Sequence, residues 1–273
     1  MNVARLLSHT LFYGLVAVAG SGCDVVAGMP AVEGSFDRTL AVTGPVDLDI
    51  RTGSGGIRID TGATNTVHVV ARILANNRFT DPEGRVKQIE ANPPIQQDGN
   101  TIRIGQVGDN ELYRNASIGY DVTVPAATRV HSVVGSGGQI IRHLQGPVDA
   151  TAGSGGLRIE DTTGDVHATA GSGGLRLTGV RGAVHARAGS GGIRIEGQPL
   201  APWDVRTGSG GITMSVAGDT AFELDASAGS GGISNRQPVD VIGASSKQRL
   251  RGTVRGGGAR VELSAGSGGI RIQ

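Results

Sequence analysis

The sequence predicts an all-β protein, specifically a right-handed parallel β-helix, or β-solenoid, with rungs of about 18 residues. Gly-Ser-Gly-Gly occurs eight times in the 273 residues, and the copies that begin between Gly135 and Gly229 are spaced by 18, 18, 18, 19 and 21 residues. Glycine accounts for 47 residues, well above its usual share of about 7 per cent, whereas aromatic residues make up only 3 per cent. These features favour a repeat protein with a thin core of small side chains over a conventional globular domain.

Residues 1–22 predict an export signal of the lipoprotein type. Arg5 precedes an apolar stretch that runs from Leu11 to Ala19, as expected for a signal peptide. Gly20-Ser21-Gly22-Cys23 resembles a bacterial lipoprotein box, in which the cysteine becomes the lipid-bearing first residue, although Gly20 stands where leucine is preferred. Cys23 is the only cysteine of the chain and therefore has no disulfide partner within it.

Two other outcomes for the N-terminus stay open. Ala17-Val18-Ala19 also fits ordinary signal cleavage, which would release a soluble secreted protein. An uncleaved anchor is the third alternative, but the apolar stretch is short for a membrane span. We assign residues 23–40 to an anchor or linker and residues 41–273 to the solenoid domain.

Each repeat predicts two half-buried strands separated by the glycine-rich turn. The strand before the turn alternates, as in Val166-His167-Ala168-Thr169-Ala170, and a shorter one follows, as in Leu175-Arg176-Leu177. Stacked rungs would align equivalent residues about 4.8 Å apart in inward columns. The predicted columns are Val148/Val166/Val184, Ala150/Ala168/Ala186, Ala152/Ala170/Ala188, Leu157/Leu175/Ile193 and Ile159/Leu177/Ile195.

An antiparallel meander with Gly-Ser-Gly-Gly as its hairpin turn is the competing architecture. A meander gives no reason for constant repeat lengths, so the regular period favours the solenoid. The gap of 37 residues between the last two copies corresponds to about two repeats. Residues 253–261 within it read as a degenerate copy.

The stretch between the first two copies interrupts the period and predicts a cap at one end of the stack, inserted at about residues 61–118. Asp81-Pro82-Glu83, followed by Val86 and Ile89, predicts a short capped helix. Gly99-Asn100 then predicts a turn into a strand at residues 101–104.

Three segments carry a resemblance to a known family. They are Glu33-Gly34-Ser35-Phe36 leading to residues 48–56, the helix-bearing insert, and Tyr120-Asp121-Val122-Thr123-Val124-Pro125 at the start of the repeats. Together they resemble the bacterial family of Gly-Ser-Gly β-strand repeat proteins labelled "putative adhesin", and the related head GIN domain. The resemblance implies a right-handed β-helix in cell-envelope proteins and carries over no catalytic residue.

Composition and motifs argue against several functions. Basic and acidic residues number 25 and 24, a balance untypical of nucleic-acid-binding proteins. Gly-Ser-Gly-Gly is followed by a strand, so it is neither a dinucleotide-binding nor a phosphate-binding loop, and no cofactor is expected. The acidic residues are dispersed, which disfavours the remaining enzyme hypothesis of a polysaccharide-cleaving β-helix. We therefore expect a non-enzymatic, exported, membrane-anchored module with a structural or adhesion role and an envelope glycan or protein as partner.

Two outward columns are candidate binding sites if the solenoid is correct. The first column consists of Arg158, Arg176 and Arg194. It would form either an anion-binding stripe or a solvated face in which the aliphatic parts of the arginine side chains cover apolar surface. On the other strand the repeat aligns a second column, for which we considered a divalent metal site or an ordinary surface ladder. Its residues are Asp149, His167, His185 and Asp204.

The C-terminus predicts one further contact. The chain stops at Ile270-Arg271-Ile272-Gln273, within or just after a repeat strand. An uncovered strand edge pairs readily with another chain, so end-to-end self-association is expected there unless the charge of Arg271 blunts the edge.

Overall fold

The computed structural model describes residues 32–75, 81–105, 112–113 and 116–273. The predicted signal peptide and the candidate lipidation site Cys23 lie outside these residues. The described part contains the helix α1 (Pro82–Ala91) and 23 strands. The strands are β1 (Val32–Ala41), β2 (Asp47–Thr52), β3 (Ile57–Thr61), β4 (Thr66–Ala75), β5 (Ile95–Asp98), β6 (Thr101–Ile104), β7 (Ala116–Val124), β8 (Arg129–Val134), β9 (Gln139–Arg142), β10 (Val148–Ala152), β11 (Leu157–Glu160), β12 (Val166–Ala170), β13 (Leu175–Val180), β14 (Val184–Ala188), β15 (Ile193–Gly197), β16 (Trp203–Thr207), β17 (Ile212–Val216), β18 (Phe222–Ala228), β19 (Ile233–Asn235), β20 (Val239–Val241), β21 (Arg249–Val254), β22 (Ala259–Ala265) and β23 (Ile270–Ile272).

These strands form two sheets, and each repeat supplies one strand to each of them. Sheet I has the order β1-β4-β7-β3-β9-β11-β13-β15-β17-β23-β19. Sheet II has the order β20-β21-β18-β22-β16-β14-β12-β10-β8-β2-β6-β5. Strands of successive repeats pair in parallel, as β10 with β12 and β11 with β13, which excludes the antiparallel meander and confirms an all-β solenoid.

The core lies between the sheets and consists of the predicted columns. Val148 pairs with Val166 and Val166 with Val184, while Leu157 pairs with Leu175 and Leu175 with Ile193. The side chains of all five predicted columns are buried. These side chains all point inward because they occupy every second position of their strands, and successive side chains of a strand point to opposite faces. Valine and alanine columns of sheet II face leucine and isoleucine columns of sheet I, and among the regular rungs the large aromatic side chains Trp203 and Phe222 enter the core only in the later ones.

The insertion covers the N-terminal end of the stack. Helix α1 forms where predicted, with the side chain of Asp81 accepting a hydrogen bond of 2.8 Å from the Gly84 N–H. Its residues Val86 and Ile89 are buried. Strand β6 also forms as predicted and pairs in parallel with β2.

Residues 32–40, which the sequence led us to assign to the linker, instead belong to strand β1 of sheet I. β1 pairs antiparallel with β4 along its whole length. Helix α1 holds it from the side, since the Glu90 carboxylate accepts a hydrogen bond of 2.8 Å from the Ser35 N–H. The alternation of polar and apolar residues in β1 is weak, with Phe36 as its one buried residue, and this explains why the pattern missed the strand.

The C-terminal rung, β22 and β23, corrects two predictions. It lies between the rung of β16 and β17 and the rung of β18 and β19, so β23 has a partner on both sides. The chain end is therefore not a free strand edge, and the expected self-association there loses its basis. The supposed degenerate repeat at residues 253–261 is the connection from β21, which pairs antiparallel with β18, across to β22.

Candidate functional site

The three predicted arginines lie in one column on the outer face of sheet I. Arg158 pairs with Arg176 and Arg176 with Arg194 in adjacent parallel strands. Because each stands between two buried apolar residues of its strand, all three are directed away from the core. Such close like charges are unfavourable unless an anion lies near them.

A groove of about 990 Å³ runs along this column. The last glycine of a Gly-Ser-Gly-Gly copy stands two residues before each of the three arginines and, like them, is exposed on the outer face. These glycines line the groove, and their backbone forms its floor. The charged residues that line it are five arginines and one aspartate, which makes the groove strongly basic. They are Arg58, Arg72, Arg158, Arg176, Arg194 and Asp121.

Neutralisation of these arginines is incomplete. Arg58 contacts Asp121 with its Nη1 atom 2.7 Å from a carboxylate oxygen, and Arg158 lies 3.5 Å from Glu160. Glu160 is also bound at 2.6 Å by Arg142, whose N–H donation holds the pKa of the Glu160 carboxyl below its usual value. In the described part of the chain, Arg72, Arg176 and Arg194 form no ion pair.

The second candidate column forms on the outer face of sheet II. Asp149, His167, His185 and Asp204 are aligned in adjacent strands as predicted. The imidazole rings of His167 and His185 are stacked, with centroids 4.7 Å apart and planes inclined by 23°. Ring nitrogens carry their lone pairs in the ring plane, so stacked rings do not direct two nitrogens at one ion.

The carboxylates do not complete a metal site around this pair. The nearest contact joins His185 Nδ1 to Asp204 at 3.9 Å, and Asp204 is bound more closely by Arg206 at 2.6 Å. Among the residues that the structure describes, no group of three or more His, Cys, Asp or Glu side chains is arranged to hold a metal ion. The geometry thus supports the surface ladder rather than the metal alternative for Asp149, His167, His185 and Asp204.

Sequence reasoning missed several polar neighbours. His131 and Asp49 extend the sheet II column, with His131 Nδ1 3.4 Å from Asp149. Just after the end of β9, His143 Nδ1 lies 2.8 Å from Asp60 in β3. Burial raises the pKa of Asp60, but the contacts with His143 and the Thr61 N–H outweigh it and lower the pKa. Asp49 and Asp60 come from the first rung, whose irregular spacing hides their alignment. His131, in contrast, stands 18 residues before Asp149, so the repeat itself could have placed it in the column.

No helix in the described ranges is both long enough and apolar enough to cross a membrane.

A family model described as Toastrack DUF4097 matches residues 147–273, just under half of the chain. No curated protein matches the chain.

Several solved structures are similar over most of their length. A "putative cell adhesion protein" from Clostridium sporogenes is 13% identical, with 88% of this chain and 99% of that chain covered and a TM-score of 0.36. A "putative adhesin" from Bacteroides fragilis is 15% identical, with coverages of 90% and 100% and a TM-score of 0.32. A "putative adhesin" from Parabacteroides merdae is 7% identical, with coverages of 88% and 96% and a TM-score of 0.38. The family match of this chain rests on its C-terminal repeats, residues 147–273, which fit the Toastrack DUF4097 model.

Proposed function

We propose that the protein is a non-enzymatic adhesion module of the cell envelope that binds acidic polysaccharide in the arginine groove of sheet I. In this proposal Cys23 carries the lipid that attaches the exported chain to a membrane. The solenoid is right-handed, as parallel crossovers nearly always are. The offset of 18 residues between paired positions such as Val148 and Val166 supports rungs of that length.

The observation that carries the proposal is the arginine column with its uncompensated charge. Arg176 and Arg194 stand in adjacent strands, and in the described part of the chain neither has an ionic partner. Guanidinium groups bind carboxylates through paired N–H donors, which lysine does not do. A row of them along a groove suits a polymer with repeated carboxylates better than a single small anion.

Binding to polygalacturonate tests the proposal, with its fully methyl-esterified form as the uncharged comparison. We expect the parent protein to bind the acidic polymer and not the ester. Arg158→Gln/Arg176→Gln/Arg194→Gln should reduce the affinity at least tenfold. The matched control is Arg51→Gln/Arg187→Gln/Arg206→Gln, which removes the same charge from the outer face of sheet II. Equal loss in both variants would show only a nonspecific effect of net charge and would contradict the proposal.

The anchor requires a separate experiment. Cells fed a labelled fatty acid should incorporate the label into the parent chain and not into Cys23→Ser. The same substitution should move the protein from the membrane fraction to the soluble fraction. Labelling that survives the substitution would exclude Cys23 as the lipidation site.

A further inference from the structure

The last glycine of each Gly-Ser-Gly-Gly copy, its fourth position, is less crowded than the third-position glycine of the same copy. A Cβ atom at the third position would lie 1.7 Å from the Gly137 carbonyl oxygen at Gly155 and 1.9 Å from the Gly155 oxygen at Gly173. At the fourth position the nearest atom would be 3.6 Å away at Gly138 and 3.5 Å away at Gly156. Stacking of the rungs therefore requires glycine at the third position, but it leaves room for a methyl group at the fourth position of these two copies.

Backbone conformation does not explain the fourth-position glycines either. Gly138 and Gly156 do not belong to the residues with positive φ, so an alanine could adopt their conformation. Nevertheless all eight copies have glycine there. Alanine in a strand would also cost less conformational entropy on folding than glycine does. Neither packing nor the backbone accounts for this choice at these two positions.

The location of these glycines supplies a reason. Six of them line the groove beside the arginine column, in adjacent strands of sheet I, and form its floor. They are Gly56, Gly138, Gly156, Gly174, Gly192 and Gly211. Any side chain here would rise from the floor between the ligand and the sheet. Glycine is a frequent residue where a ligand approaches the backbone closely.

We infer that Gly138 and Gly156 keep the floor of the groove clear for an unbranched acidic polysaccharide that lies along the solenoid axis, with its sugar rings on the glycine backbone and its carboxylates on the arginines. The inference rests on the proposed function and adds the shape and orientation of the ligand. Strands β3 to β17 of the floor span five inter-strand spacings, or about 24 Å at 4.8 Å each. A polymer segment of that length contacts several rungs at once.

Substitution of the floor provides the test. Gly138→Val/Gly156→Val should weaken binding of polygalacturonate at least tenfold, equivalent to about 1.4 kcal/mol. Gly232→Val is the matched control: it has the same place in the motif and 3.7 Å of space, but Gly232 does not line the groove. The control should bind like the parent. Gly138→Ala/Gly156→Ala, a smaller change, should weaken binding less and keeps the test valid if the valine variant misfolds.

The outcomes separate this inference from the proposed function. Normal binding by the folded floor variants, together with loss in the arginine variant, would overturn the inference and leave acidic-glycan binding in place. Failure of the parent to bind would overturn both. Galacturonate oligomers of defined length add a second readout: affinity should rise until the oligomer covers the groove and then level off. Equal affinity for a heavily branched acidic polymer would also contradict a chain seated on the floor.

Discussion

At the residue scale, the third-position glycines show how tightly the rungs stack. A Cβ atom at Gly155 would approach the Gly137 oxygen to 1.7 Å, closer than side-chain relaxation can relieve because the neighbour is backbone. We predict that Gly155→Ala lowers the free energy of unfolding by about 3 kcal/mol, at the upper end of overpacking costs.

Gly156→Ala, one residue away, provides the control for that measurement. Its Cβ atom would have 3.5 Å of space, so the change should alter stability by less than about 1 kcal/mol. Urea denaturation of both variants measures the difference. Equal destabilisation would mean that the space between rungs does not determine the choice of glycine.

A buried polar pair interrupts the apolar columns in one early rung. Ser132 donates a hydrogen bond of 2.6 Å to the Gln139 side-chain oxygen, and the Gln139 amide donates to the Thr151 carbonyl. Both side chains are buried. Gln139→Leu should lower the free energy of unfolding by about 1–3 kcal/mol because it leaves the Ser132 hydroxyl without its acceptor. Ser132→Ala/Gln139→Leu removes that hydroxyl too and should recover part of the loss in thermal or urea unfolding. Strict additivity of the two single changes would show that the pair is not coupled.

At the element scale, Arg142 at the end of β9 joins Glu160 at the end of β11 and so ties two rungs together. The Arg142 hydrogen bond lowers the pKa of Glu160 from its ordinary value of 4.5. A carboxyl group whose pKa is lower in the folded than in the unfolded state stabilises the fold at pH values above its pKa in the unfolded state. This stabilisation is lost as the pH falls through its pKa in the folded state. We therefore expect the parent to lose stability below about pH 4.5 more steeply than Glu160→Gln.

Glu196→Gln is the matched control for the pH measurement, because Glu196 pairs in register with Thr178 just as Glu160 does, yet forms no ion pair in the described part of the chain. Its stability should follow the parent curve as the pH is lowered. An identical pH profile for all three proteins would contradict a role for the Arg142 contact.

At the scale of the whole molecule, the stacking order differs from the chain order. Strands β22 and β23 separate two rungs that precede them in sequence. In a repeat protein each rung is stabilised mainly by its neighbours. We predict that a chain ending at Gly258 exposes residues 217–258 to proteolysis and hydrogen exchange, because their rung loses its parallel partner on that side. Residues 116–216 should stay protected. Full protection of residues 217–258 in the shortened chain would show that their rung can stack directly on β16 and β17.

The sequence alone determined the strands of the regular repeats, their inward columns and the outward arginine and histidine columns, because a fixed repeat with alternating side chains leaves only one register for stacked rungs. Tertiary structure decided which rung lies beside which. All rungs present equivalent edges, so local pattern cannot distinguish sequential stacking from insertion of β22 and β23. The same holds for β1, whose partner β4 lies in the insertion, outside the regular spacing. The structure also decided how the arginines are compensated. The repeat places Arg142 beside Glu160, but only the side-chain contacts show that Glu160 lies closer to Arg142, at 2.6 Å, than to Arg158, at 3.5 Å.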